Sequence, residues 1–262
     1  MTLTFKEKIK EAASSLVSIL PKPIARGLQK LTYKIRGVEP EIDWLPKWCD
    51  PAKNAIDIGA NRGDYALFLS GFAKNLWCFE PNPGLANELR ILLAGLPVTV
   101  GNMALGDQEG ELILNIPYVE GKELHGWASL DKDFAGESWK GLKILGTRKE
   151  RVSVKRLDDL GISNVGFIKI DVEGHEFATL KGARNTILRD KPNLLVEIEQ
   201  RHHVEPIVHI FDWLGEIGYE GSFLDNGELC RLSKFDVAFH QKDPETSNYR
   251  NNFFFSPKVS NS

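Results

Sequence analysis

Ala55-Ile56-Asp57-Ile58-Gly59-Ala60-Asn61-Arg62-Gly63-Asp64 is a short apolar run that ends in an acid and breaks into a glycine-bearing turn. It reads as a strand over residues 54 to 58, a tight turn, and a helix over residues 63 to 72. Gly59 and Gly63 lack the Cβ atoms that would keep backbone away from a ligand. The helix start offers N–H groups that suit a carboxylate as well as a pyrophosphate, so the turn marks a cofactor pocket without choosing the cofactor.

Working outward, a second apolar run, residues 76 to 79, ends in Glu80, and Pro83 suits the first turn of a helix over residues 83 to 93. A third run, 98 to 100, leads into Asn102-Met103-Ala104-Leu105-Gly106-Asp107. A fourth, 165 to 170, closes on Asp171-Val172-Glu173-Gly174, and a fifth, 193 to 198, carries Glu197 and leads to Glu199. Helices are expected over residues 174 to 188 and 206 to 218. Short strands alternating with helices predict an α/β fold with a doubly wound, mainly parallel sheet. Acids at successive strand ends predict a ligand crevice along one sheet edge.

Two regions depart from that alternation. Residues 111 to 117 and 152 to 154 read as strands, and the glycine- and charge-rich stretch between them, about 118 to 150, reads as an irregular insertion. After residue 218 the runs 219 to 224, 235 to 239 and 252 to 255 lack intervening helices, which predicts a closing antiparallel hairpin. The domain boundary falls near residue 50, with a helical extension before it and the sheet domain over 51 to 262.

The extension has its own character. Phe5, Ile9, Leu16 and Leu20, then Ile24, Leu28, Leu31 and Ile35, recur at helical spacing on either side of Pro21 and Pro23. Eight basic residues against Glu7 and Glu11 make residues 1 to 37 +6, which leaves -9 for the remainder of a chain of net charge -3. One reading is a foot on an anionic membrane surface; the other is a helical hairpin that caps the core or packs on a partner subunit. Oligomeric state stays open.

Composition narrows the classes. With 42% hydrophobic and 26% charged residues the chain is neither disordered nor fibrous, and its charge disfavours a general nucleic-acid binder. Cys49, Cys78 and Cys230 are odd in number and far apart, which supports neither a disulfide framework nor a zinc site. No apolar run has transmembrane length and no signal-peptide pattern opens the chain, so a cytoplasmic protein is expected, with peripheral contact at the inner membrane surface as the basic extension's version of it.

The chemistry concentrates at the strand ends. Glu80, about twenty residues past the first glycine, suits both hydroxyls of an adenosine ribose, and Ala104 and Leu105 suit an adenine face. Asp171, Glu173 and Glu197 could bind a divalent metal, orient a hydroxyl, or raise one member into general-base range; alternatively they form a solvated rim against Lys169, Lys181 and Arg201. His175 and His202 flank the crevice as proton acceptors, and His125 sits in the insertion.

Taken together, Ile56-Asp57-Ile58-Gly59-Ala60-Asn61-Arg62-Gly63, Phe79-Glu80-Pro81-Asn82-Pro83, Ala104-Leu105-Gly106-Asp107, Arg156-Leu157-Asp158-Asp159-Leu160 and Phe167-Ile168-Lys169-Ile170-Asp171-Val172-Glu173-Gly174-His175-Glu176 resemble the FkbM-type methyltransferases, over about residues 54 to 256. The resemblance implies a class I, seven-stranded Rossmann-like fold and S-adenosylmethionine as cofactor. It implies methyl transfer to oxygen, commonly a hydroxyl of a sugar, a glycan or glycolipid, or a secondary metabolite. By it, Asp57, Gly59, Ala60, Asn61 and Gly63 hold the methionine moiety, Glu80 with Asn82 beside it the ribose, Asn102, Ala104 and Leu105 the adenine, and Asp171 lies beside the methyl group and acceptor. Two rivals remain: an NAD-dependent oxidoreductase, disfavoured by the incomplete G-x-G-x-x-G, and a non-catalytic, membrane-recruited module on the same fold. A nucleic-acid methyltransferase is disfavoured by Asp171-Val172-Glu173-Gly174, which is no Asn/Asp-Pro-Pro-aromatic run.

Overall fold

Alternation of buried strands and covering helices builds the molecule in chain order. A computed structural model describes residues 22–36, 39–119, 122–124, 138–139 and 142–258. Helix α1 (Lys22–Arg36) precedes a 3-10 turn (Pro40–Trp44) and α2 (Leu45–Trp48). Two strand–helix units and a third strand follow: β1 (Asn54–Ile58), α3 (Asp64–Leu69), β2 (Leu76–Phe79), α4 (Pro83–Leu93) and β3 (Val98–Gly101). Next come β4 (Ala104–Leu105), β5 (Gly110–Val119), β6 (Lys122–Glu123), β7 (Ser138–Trp139), β8 (Leu142–Lys143) and β9 (Gly146–Lys155). The second half holds β10 (Val165–Ile170), α5 (Glu176–Gly182), α6 (Arg184–Asp190), β11 (Asn193–Glu197) and α7 (Val208–Glu216). It closes with β12 (Tyr219–Asp225), β13 (Glu228–Arg231), α8 (Val237–His240) and β14 (Asn252–Pro257). Among the described residues no helix is long and apolar enough to cross a membrane.

The main sheet runs β13-β12-β14-β11-β10-β1-β2-β3. β3, β2, β1, β10 and β11 are parallel, whereas β14, β12 and β13 are antiparallel to their neighbours. Seven of these strands give the expected mainly parallel sheet with an antiparallel end, and β13 is added at its edge. The hairpin does not use residues 235 to 239. There Asp236 caps a helical turn by accepting from the Phe239 N–H at 3.2 Å, and Phe235 packs on Phe253, ring centroids 4.8 Å apart. The strand is instead the charged segment Glu228–Arg231, reached through Asn226-Gly227, both at positive φ as a tight hairpin turn requires.

Two further expectations change. Residues 174 to 188 form two helices, because the carboxylate of Asp158 accepts the N–H groups of Asn185 and Thr186 at 3.0 and 2.8 Å and starts a new helix there. The stretch 118 to 150 is ordered in part: β5 and β9 pair over nine residue positions in a second sheet of order β4-β9-β5-β6. His125, residues 1–21 and most of 125–141 lie outside the described residues.

The core fills both faces of the main sheet. One cluster centres on Ile56, Ile168, Ile170, Val196 and Phe223, the other on Ala55, Leu67, Leu69, Phe167 and Phe254. Ile42 and Leu45, ahead of β1, belong to the second cluster. Arg26 ties α1 to the end of α4 through the Leu92 and Ala94 carbonyls at 2.8 and 2.5 Å.

Candidate active site

A cavity of about 260 Å³ opens at the carboxyl ends of β1, β2, β10 and β11. Gly59, Asn61, Glu80, Pro81, Met103, Ala104, Leu105, Asp171, Glu173 and Glu197 line it, joined by Glu39 from ahead of β1 and Leu114 from β5. This is the crevice that an open parallel sheet offers at its strand ends.

The glycines of the first loop serve packing within the protein. A Cβ on Gly59 would lie 1.7 Å from the carbonyl oxygen of Asp171, and one on Gly63 would lie 2.7 Å from Leu89 Cδ2. Both have positive φ, at 77° and 84°. The N–H groups of Gly59 and Ala60 go to the Phe79 carbonyl and that of Gly63 to the Ala60 carbonyl, so the loop is fastened internally.

Glu80 is buried at the end of β2. Its Oε2 accepts the Asn61 N–H at 2.8 Å and its Oε1 the Asn82 N–H at 2.9 Å. Burial pushes its carboxyl up to about 7 despite those two bonds. Asn82, fully buried, caps α4 through its Oδ1 and stays out of the cavity lining. Asn102 donates its side-chain amide to the Glu80 and Pro81 carbonyls at 2.9 and 2.8 Å, which braces the same strand end from outside the lining. Asp107 is exposed and away from the cavity.

Asp171 lines the cavity with its side chain 30% exposed, while Oδ2 accepts from Lys169 Nζ at 2.8 Å. Glu173, at φ 49°, places Oε2 3.0 Å from His202 Nδ1, and burial followed by repulsion from Asp171 pushes its carboxyl up to about 8. Glu197 accepts from Asn251 Nδ2 at 2.8 Å, and burial followed by Asp171 raises it well above the usual range. His202 does not line the cavity, and its contact with Glu173 brings it behind a lining residue. His175 lies against Gly106, where a Cβ would come within 3.1 Å of its Nε2, and it does not line the cavity. Among the described residues no group of three or more His, Cys, Asp or Glu is arranged to hold a metal ion; Asp171, Glu173 and Glu197 turn to three different partners.

Asp57 sits behind this wall. It is 1% exposed, neither oxygen has a hydrogen-bond partner among the described residues, and burial pushes its carboxyl up to about 7 against the pull of Lys169. Lys169, expected only as a cation beside a solvated acidic rim, is 2% exposed, and its further signal was a lysine inside an otherwise apolar strand. Glu39 carried no such signal.

A parallel sheet whose carboxyl edge holds an acid-lined cavity, with the order β3-β2-β1-β10-β11 completed by antiparallel strands, defines a Rossmann-like fold of the class I methyltransferase type. The methyltransferase FkbM domain model matches residues 57–220, and the chain belongs to that family. A methyltransferase FkbM from Methylobacillus flagellatus KT is similar at 17% identity and a TM-score of 0.50, over 95% of this chain and 59% of that one. This chain therefore spans less than two thirds of that protein's length. An rRNA methylase from Streptococcus thermophilus is similar at 10% identity and a TM-score of 0.47, over 84% and 94% of the two chains. Magnesium protoporphyrin IX methyltransferase from Synechocystis PCC 6803 is similar at 12% and 0.46, over 99% and 86%. None of the curated proteins compared matches the chain.

Proposed function

We propose that this protein is an S-adenosylmethionine-dependent O-methyltransferase whose acceptor is a hydroxyl of a sugar, of a glycan or glycolipid, or of a secondary metabolite. The observation that carries the donor assignment is the cavity's charge. Five acidic residues line it (Glu39, Glu80, Asp171, Glu173 and Glu197), and among the described residues no lysine, arginine or histidine does. Carboxylates held out of water favour a cation that restores their charge. S-adenosylmethionine, when bound, supplies a methyl group already activated on a sulfonium cation.

Glu80 suits the ribose diol, since each of its oxygens keeps a lone pair beyond its backbone bond. Met103, Ala104 and Leu105 supply apolar surface for a purine, and Gly59 and Asn61 line the side given to the methionine portion. Asp171 stands beside the acceptor. Glu173, backed by His202, takes the acceptor's proton; a carboxyl near 8 is matched to that work near neutral pH. The rest is alignment and exclusion of water, which can supply about 7 to 11 kcal/mol of a transfer barrier. Asp171→Ala and Glu173→Ala variants that still methylate the acceptor at wild-type rates would remove these roles.

Calorimetry with S-adenosylhomocysteine and, separately, NAD tests the donor. Binding of the former is expected; tight NAD binding without it would overturn the reading. Comparing sugar methylation in surface polysaccharide from cells with and without the gene tests the acceptor.

The basic extension, residues 1–37, is proposed as a peripheral contact with anionic lipid on the cytoplasmic face of the membrane. Ile24 and Leu31 of α1 are exposed, and the segment's +6 charge complements such a surface. Binding to anionic liposomes at low salt is expected, and equal cosedimentation of a chain lacking residues 1–37 would remove it.

A further inference from the structure

Behind the cavity wall lies a sealed charged layer. β10 is buried at every position, and Lys169 is its one charged residue. Lys169 and Asp171, two residues apart, face the same side of the sheet. The ammonium lies 2.8 Å from Asp171 Oδ2 and 4.6 Å from the centroid of the Tyr65 ring on α3. Its partner across the β1 ladder is Asp57, the acid of the first loop. Glu39 and Glu197 act on the same ammonium from ahead of β1 and from the end of β11.

The two aspartates differ in access. Asp57 is 1% exposed and absent from the cavity lining, whereas the Asp171 side chain is 30% exposed and lines it. Burying an ammonium is costly, and an apolar side chain of similar volume would fill that space at lower cost. Such a residue would also leave Asp57 and Asp171 to repel each other and free Asp171 to rotate. Lys169 holds one oxygen of Asp171, and only one.

We propose that Lys169 is a positioning residue, which fixes Asp171 with Oδ2 tied inward and Oδ1 presented to the ligand, and that Asp57 is the sealed counter-ion of Lys169, acting on the ligand through it. Which ligand Asp171 meets rests on the donor reading above. The assignment moves the acid of the first loop from direct cofactor contact to the support of a residue at the end of a neighbouring strand.

The test uses the full chain as wild type, K169M, K169R and D57N/K169M, with urea unfolding, S-adenosylhomocysteine calorimetry and crystal structures. K169M is expected to lose about tenfold or more in affinity, and K169R to recover most of it, as loss and return of a charged hydrogen bond require. Because K169M removes the cation that faces a sealed acid, it will unfold at lower urea at pH 8; D57N/K169M is expected to regain the midpoint without the affinity. Wild-type affinity in D57N/K169M, or an unmoved Asp171 rotamer in its crystal structure, would overturn the proposal. A wild-type protein that does not bind S-adenosylhomocysteine would instead overturn the donor reading, and the Asp171 rotamer alone would then decide this one.

Discussion

Glu197 and Glu199 stand two residues apart where β11 ends, and they belong to two different regions. Glu197 faces the cavity, takes one hydrogen bond from Asn251, and is raised by burial and by Asp171. Glu199 is the more sealed from solvent of the two, at 4% exposed, yet it lies in an outer knot. Arg201 donates to it at 2.6 and 3.1 Å and Tyr249 donates its hydroxyl, and together they outweigh burial and hold the carboxyl below the usual range. Glu197 takes the one bond from Asn251, whereas Glu199 takes bonds from Arg201, Tyr249 and Asn251. Under-satisfied acids are poised for a ligand, and satisfied ones hold structure.

The sharpest way to break that contrast is at Glu80. Glu80→Ala removes two charged hydrogen bonds to the ribose, each contributing about 1.5 to 3 kcal/mol, so S-adenosylhomocysteine affinity should fall by about 100-fold or more. Calorimetry that finds near-wild-type affinity would end the ribose assignment. The fold should also suffer, because the Asn61 and Asn82 N–H groups lose their acceptor.

The outer knot should respond in the opposite sense. Arg201→Ala strands a buried carboxylate, and a loss of about 1 to 3 kcal/mol in urea unfolding is expected, below the range of a fully sealed pair because the guanidinium is half exposed. Ligand affinity should stay at the wild-type value; a large drop would show that the two regions are not separate.

Glu197→Gln should then stabilise the ligand-free protein by about 1 kcal/mol at pH 8, since an amide keeps the Asn251 bond and relieves the buried charge. Unchanged or lower stability in chemical unfolding would count against a strained cavity acid.

The smallest effect is a pH trend. Asp57 and Glu80 keep their protons to about 7 and Glu173 to about 8 in the folded state, well above their unfolded values. Their favourable contribution is therefore complete below the unfolded values and is lost as pH rises through 7 to 8. The melting temperature of the ligand-free protein should fall from pH 5 to pH 8, and saturating S-adenosylhomocysteine should flatten the slope. A melting temperature that rises over this interval would contradict it. Glu199, lowered, works in the other direction and acts only below its ordinary range.

Much of the parallel half was legible because its signals are local: a five-residue apolar run, a left-handed glycine, an acid at the strand end. β1, β2 and β10 fall on the expected residues. The hairpin was misread because Phe235 and Phe239 carry strand-like hydrophobicity while Asp236 caps a turn, and because Asn226-Gly227 is flanked by charged residues. Glu39 was invisible: its place in the cavity depends on how Ile42 and Leu45 dock in the core, which is a long-range fact. The aspartate of the first loop was seen, but its access was not, since alternation along a strand does not say which face a helix will seal. The helix after β1 sets Tyr65 under the ammonium of Lys169, the ladder partner of Asp57.

Gly59 has a consequence for anyone who would redesign the acceptor. Since its missing Cβ is the seat of the Asp171 carbonyl, the turn at residues 59 to 63 and the one at 171 to 175 fit as a matched pair. Loops exchanged between relatives will have to travel together, and a library that randomises one while holding the other fixed will fill with chains that misfit before they reach any substrate.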